Sequence, residues 1–187
     1  MSDRPIPPRP GPRASARRLA EILRVDHAGE LGAVHIYRGQ RAVLEGAAGR
    51  GRIAAQLSEM EAHEARHLAR FDTLLTRDRV RPTLLAPLWR AAGFALGAGT
   101  ALLGEKAAHA CTEAVETVIE AHYAGQIDEI GEGQPDLAAE LEQFRAEELA
   151  HRDQALAGGA RDAPGYPILA AVIRAGCRAA IALSEKL

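Results

Sequence analysis

The chain has 187 residues and a mass of 19.9 kDa, enough for one domain with a full hydrophobic core and short for two. Aromatic residues make up only 4% of it, while alanine, leucine, arginine and glutamate dominate, a profile that favours helix over sheet. A formal net charge of -2 with mixed signs argues against nucleic-acid binding, and two cysteines, Cys111 and Cys177, are too few for a disulfide framework or a Cys-based zinc site and read as reduced, buried thiols.

Residues 1–13 carry five prolines and three arginines without an apolar stretch, so they are expected to form a disordered tail and neither a signal peptide nor an anchor. The remainder, 14–187, is expected to form a single all-α domain. Apolar residues recur at helical spacing from about Ala14 to Gly46, through Leu19, Leu23, Val34, Tyr37 and Leu44, until Gly46, Gly49 and Gly51 intervene. A second helix is expected over Arg52 to Arg77, stopped by Arg81-Pro82.

The third segment, Leu84 to Gly104, is apolar almost all round, yet its uninterrupted stretch after Arg90 is shorter than the roughly 20 residues a bilayer span needs. It reads either as a packed connector helix or as a surface that also meets lipid or an apolar ligand. A fourth helix is expected over Glu105 to Ile130, a fifth from Pro135-Asp136 to Ala157, and an amphipathic sixth after Pro167 with Arg174 and Arg178. The segment Gly97 to Leu102 lacks the third glycine of a dinucleotide-binding loop and follows no strand.

The apolar stripes are interrupted by acids and histidines at matching places. On the fifth helix the stripe steps through Leu137, Leu141, Phe144, Glu148, His151 and Ala155; on the second it runs through Ile53, Leu57, Met60, Glu64, His67 and Phe71. Glu30 lies on the stripe between Leu23 and Tyr37, and Glu116 between Thr112 and Ile119. The order is therefore Glu, Glu-x-x-His, Glu, Glu-x-x-His, in two similar helix hairpins. With 7 histidines in the chain, chance alone supplies roughly 0.6 Glu-x-x-His pairs, so their placement on apolar seams carries the argument.

Buried ionised carboxylates are costly unless paired or metal-bound, and four together would repel without a cation between them. Four carboxylates and two imidazoles suit iron or manganese, and this pattern over four helices is that of ferritin-like di-iron bundles, here with two additional apolar or amphipathic helices. One competing motif, His63-Glu64-Ala65-Arg66-His67, matches the H-E-x-x-H signature of zinc proteases. That alternative has no recognisable third ligand and leaves Glu30, Glu116, Glu148 and His151 unexplained.

From Leu23 to Leu187 the chain resembles the demethoxyubiquinone hydroxylases of ubiquinone biosynthesis. The resemblance rests on Asp26-His27-Ala28-Gly29-Glu30, Glu64-Ala65-Arg66-His67, Arg81-Pro82-Thr83, Pro87-Leu88-Trp89, Ala110-Cys111-Thr112 with Glu116, Glu147-Glu148-Leu149-Ala150-His151 and Gly176-Cys177-Arg178. It implies that Glu30, Glu64, His67, Glu116, Glu148 and His151 ligate two iron ions. It further implies a mono-oxygenase acting on a demethoxylated quinone ring with dioxygen, NADH as electron source, and His122-Tyr123 as the pair that delivers electrons. His109 departs from the expected apolar residue there, and is read as a satisfied histidine behind the ligands or at the surface, two turns before Glu116 and able to share its face. Asp26, one turn before Glu30, reads as a hydrogen-bond partner of a ligating histidine or as an ordinary helix acid.

A substrate with a long isoprenoid tail implies a channel between the third and sixth helices, with Trp89, Arg90, Arg174 and Arg178 at a lipid interface. Peripheral association with the cytoplasmic face of a bacterial inner membrane is expected, together with a homo-oligomer or a lipid-binding accessory protein as partner. A ferritin- or rubrerythrin-like ferroxidase or peroxidase would use the same ligands, whereas a purely structural helical protein would retain no metal.

Overall fold

The computed structural model describes residues 12–46 and 49–187; the expected tail falls outside them as far as residue 11. Six helices follow in order: α1 (Pro12–Leu44), α2 (Gly51–Asp78), α3 (Ala86–Leu102), α4 (Glu105–Ile130), α5 (Pro135–Ala157) and α6 (Tyr166–Ser184), with a short 3-10 turn at Ala160–Asp162. No strand occurs among the described residues. The architecture is the expected all-α, ferritin-like bundle. α1 packs on α2 and α3, and α4 packs on α5 and α6, so each hairpin carries one further helix along its first member.

Local chemistry sets the breaks. Gly46 and Gly49 take positive φ after α1, Arg79 closes α2 in the left-handed region with its N–H on Leu75 and Thr76 carbonyls, and Gly104 at φ 115 separates α3 from α4. Prolines sit in the first turns of α3, α5 and α6, where a missing N–H leaves no helix bond unmade. The 3-10 turn was not legible in the pattern, being too short to show a period.

Two apolar clusters fill the bundle. Ile22, Leu23, Phe71, Leu74, Tyr123 and Leu141 pack in one; Tyr37, Leu44, Ile53, Leu57 and Met60 pack in the other. Glu30 on α1 falls in chain order between Leu23 and Tyr37, and Glu64 on α2 between Met60 and Phe71, so the polar layer lies between two dry plugs.

α3 is packed on one side and bare on the other. Its glycine side touches α1 backbone to backbone: a Cβ on Gly97 would stand 2.0 Å from the Ile36 carbonyl oxygen. Gly97→Ala is expected to push the helices apart and cost about 1–3 kcal/mol, seen as a lowered melting temperature in circular dichroism; an unchanged transition would refute the close approach. The other side is bare, with Leu88 and Leu102 exposed, as are Ile168 and Val172 on α6. α6 is long and apolar enough by composition to cross a membrane, but it packs on α4 and its Arg174 is held by Glu113 on that helix at 2.7 Å.

Candidate metal centre

The six seam residues converge. Glu30, Glu64, Glu116 and Glu148 are each 2% exposed or less, so none of the four faces bulk water, and His67 and His151 are buried beside them. Ligand atoms of Glu30, Glu64, His67 and Glu148 lie within 4.8 Å of one another, as do those of Glu64, Glu116, Glu148 and His151. Glu64 and Glu148 belong to both groups.

Both imidazoles turn Nδ1 inward. His67 Nδ1 stands 3.2 Å from Glu148 and 3.3 Å from Glu30; His151 Nδ1 stands 3.1 Å from Glu64 and 3.3 Å from Glu148. These two nitrogens, Glu30 Oε2, Glu64 Oε1 and both Glu148 oxygens are buried without a hydrogen-bond partner among the described residues. Six inward-facing donor atoms without partners are a poor design for a metal-free core and a good one for a mixed oxygen and nitrogen shell.

The electrostatics tell the same story. Burial pushes the Glu64 and Glu116 carboxyls well above the usual range, with repulsion from Glu148 adding to it. Burial acts to raise Glu148 too, but His151 and His67 outweigh it and hold that carboxyl down at about 2. Burial acts to lower His67, yet the close approach of the Glu148 and Glu30 carboxylates carries it up to about 10. In the metal-free chain at pH 7, His67 thus holds a proton that ligation must displace, and the raised Glu64 and Glu116 carboxyls bind protons more readily than ordinary glutamates. Calorimetric loading with two divalent ions in buffers of different ionisation enthalpy is expected to show release of these protons, and affinity rising with pH; loading without proton release contradicts this charge distribution.

A crossed set of hydrogen bonds surrounds the ligands. Tyr37 on α1 donates to Glu116 on α4 at 2.5 Å, and Tyr123 on α4 donates to Glu30 on α1. Burial raises both phenols, which keeps them protonated as donors. In the other pair of helices, His67 Nε2 lies 3.1 Å from Glu147 Oε2, and His151 Nε2 lies 3.1 Å from His63 Nδ1. The Phe144 ring stacks on His67 with centroids 4.1 Å apart.

Sequence reasoning missed Tyr37, Glu147 and His63 in these roles. The available signal was the repeat: each tyrosine stands seven residues after its helix's glutamate, and Glu147 and His63 each immediately precede the glutamate of a Glu-x-x-His pair. His63 is therefore a partner of His151 and stands outside the ligand groups, which leaves the zinc-protease alternative without its first ligand.

Of the expected electron-delivery pair, Tyr123 touches Glu30, while His122 lies 2.9 Å from Gln126 and 3.4 Å from Asp26. Asp26 reaches neither His67 nor His151; its buried carboxylate accepts from Gln126 at 2.7 Å, and burial raises it. His109 packs with its ring against Gly158 at the end of α5, and its nearest acid is Glu105 at 4.0 Å, so it stays away from the ligands. Burial lowers its imidazole, keeping it neutral.

A cavity of about 390 Å³ opens between α1, α3, α4 and α6. Its wall is apolar and includes Gly29 and Val115, the neighbours of Glu30 and Glu116, and at the other side Val172 and Ile181. Trp89, expected at a lipid interface, lines it and donates to Ser184 at 3.0 Å, tying α3 to α6; Arg90 and Arg178 are exposed.

The family described as "Ubiquinone biosynthesis protein COQ7" matches residues 17–184. The "3-demethoxyubiquinol 3-hydroxylase" of Rhodospirillum rubrum is 52% identical over 181 residues, 95% of this chain and 82% of that protein. The mitochondrial "NADPH-dependent 3-demethoxyubiquinone 3-hydroxylase" of Mus musculus is 52% identical over 169 residues, 88% of this chain and 76% of the relative. The mitochondrial "5-demethoxyubiquinone hydroxylase" of Saccharomyces cerevisiae is 40% identical over 189 residues, 93% of this chain and 80% of the relative.

Proposed function

The chain belongs to the ubiquinone biosynthesis protein COQ7 family and is a hydroxylase of that pathway, and from that premise we propose that it is a di-iron mono-oxygenase acting on the demethoxylated quinone ring. The observation that carries the reading is a pair of features on the same helices: six buried donor atoms without partners, and an apolar cavity whose wall includes Gly29 and Val115, the residues that precede Glu30 and Glu116 in the chain. Glu30 and His67 would hold one iron and Glu116 and His151 the other, with Glu64 and Glu148 shared. Two ferrous ions so held supply the electrons and open coordination positions that activate dioxygen.

The protein's own part is to position and to exclude. Tyr37 and Tyr123 fix the orientation of Glu116 and Glu30 by donating to one oxygen of each, leaving the other free to ligate. The two apolar clusters keep bulk water from the ligand layer, and the cavity admits the ring while its small residues leave room for it. A pocket of this size is typical of a site for one small ring system. Electrons would come from a reduced nicotinamide dinucleotide; the resemblance implies NADH, and the name of the mouse relative specifies NADPH. The pair His122 and Tyr123 runs from a part-exposed imidazole to a ligand carboxylate and would be their entry.

The bare faces of α3 and α6 beside the cavity suit peripheral binding to a membrane, as at the cytoplasmic face of a bacterial inner membrane, where a second copy or a lipid-binding accessory protein would share the surface. Flotation with liposomes in low salt is expected to carry the protein upward, and a protein left at the bottom would remove this element while sparing the metal site.

The deciding experiment loads the chelator-stripped protein with ferrous iron anaerobically, then adds oxygen and a demethoxyquinone with a short tail. Two irons per chain and a ring hydroxyl labelled from oxygen gas are expected. Two irons without product would favour a ferroxidase or peroxidase instead.

A further inference from the structure

The crossed hydrogen bonds around the two ligating histidines repeat in geometry and differ in charge. Each Glu-x-x-His pair is preceded by a residue that reaches across to the other pair's histidine: Glu147 on α5 to His67 on α2, and His63 on α2 to His151 on α5, both at 3.1 Å. With Nδ1 of each ring ligating a metal, Nε2 would carry the one ring proton and donate outward. The acceptor for His67 would be a carboxylate. The acceptor for His151 would be an imidazole nitrogen.

A carboxylate acceptor draws the ring proton toward itself, makes the inner nitrogen more basic and adds a negative charge one residue from the cation. A neutral imidazole acceptor orients the ring equally well without either effect. Arg66 donates to the same Glu147 oxygen at 3.1 Å, which fixes that oxygen opposite His67 and moderates its charge. His63 Nδ1 also lies 3.5 Å from it, so both outer partners meet at the same rim of the bundle.

We propose that the two metal positions are unequal: the position completed by Glu30 and His67 fills first, and the position completed by Glu116 and His151 binds its ion more weakly, because Glu147 stands behind one histidine and His63 behind the other. The inference rests on the reading of the cluster as a two-metal centre and specifies which half is strong. Glu147 and His63 act through the histidines and are positioning residues.

The test is an anaerobic titration of the chelator-stripped full chain with Co(II), followed by its visible absorption and by calorimetry. The wild type is expected to bind two ions in two steps separated by about ten-fold or more in affinity. Glu147→Gln, which keeps an acceptor and removes the charge, is expected to weaken the first step by about ten-fold and leave the second in place. His63→Glu, which puts at one position what the repeat already has at the other, is expected to tighten the second step alone; a merely structural role would not produce such a gain. Two equal affinities in the wild type, or a first step unmoved by Glu147→Gln, overturns the inequality and leaves the metal centre intact. Fewer than two ions bound by the wild type overturns the metal centre and the inequality together.

Discussion

Replacing Glu148 with glutamine is expected to abolish hydroxylation, by about a thousand-fold or more, which corresponds to about 4 kcal/mol of lost transition-state stabilisation. The residue contributes to both ligand groups, and an amide offers one uncharged oxygen where the carboxylate offers two charged ones, so iron analysis should return fewer than two ions per chain. It should also destabilise the metal-free protein. Glu148 is held at about 2 against an ordinary glutamate value of 4.5, so its ionised form stabilises the fold above that ordinary value, and the contribution disappears as the pH falls toward 2. At neutral pH the substitution should cost about 3 kcal/mol and lower the melting temperature by roughly 10 °C.

The informative control is Glu64→Gln. Glu64 also belongs to both groups, so metal and activity should be lost in the same way. Its carboxyl, however, is raised by burial and by the neighbouring glutamates, so its ionised form is disfavoured in the metal-free protein. A raised value means stability that is present in acid and declines as the pH rises through it; glutamine removes that decline. The metal-free variant should therefore melt no lower than the parent, with an advantage that grows as the pH is raised. Function lost with stability kept is the signature of a side chain retained for its ligand. Equal destabilisation by both substitutions would show that the cluster is an ordinary buried ion-pair network.

Gly32→Phe is expected to reduce turnover of a quinone substrate by about a hundred-fold while leaving two irons in place. Gly32 lines the cavity two residues after Glu30, and a Cβ there meets no atom within 4 Å, so the ring would occupy the space assigned to the substrate. The backbone gains helix propensity of up to about 1 kcal/mol, and the fold should hold. Unchanged turnover with unchanged iron content would mean that the substrate reaches the metals by another route.

How far the chain disclosed itself in advance depends on the range of the interaction concerned. The glutamates and histidines of the ligand set were visible because a helix is periodic: Glu64 and His67 fall on the same seam as Met60 and Phe71, and no tertiary knowledge is needed to see charges where apolar residues belong. The same reasoning left Asp26 open between a partner of a seam histidine and an ordinary helix acid, and read His109 as a satisfied or surface histidine that could share the face of Glu116, since each shares a helix with a seam glutamate at whole-turn spacing. Asp26 instead meets Gln126 and His122 across the bundle, and His109 meets Gly158. Turn spacing assigns a face of a helix but not the residue that faces it.

Composition and local periodicity thus determined six helices, their glycine and proline breaks, and a charged layer inside an apolar seam, because these follow from forces acting within a few residues along one helix. Tertiary packing alone decided that Tyr37 serves Glu116, that Glu147 and His63 stand behind opposite histidines, and that a cavity opens beside Glu30, because each requires the offset and separation of helices distant in the chain. Those offsets come from side-chain interlock and from contacts such as Gly97 on Ile36, where the absence of a single Cβ sets how near two helices lie.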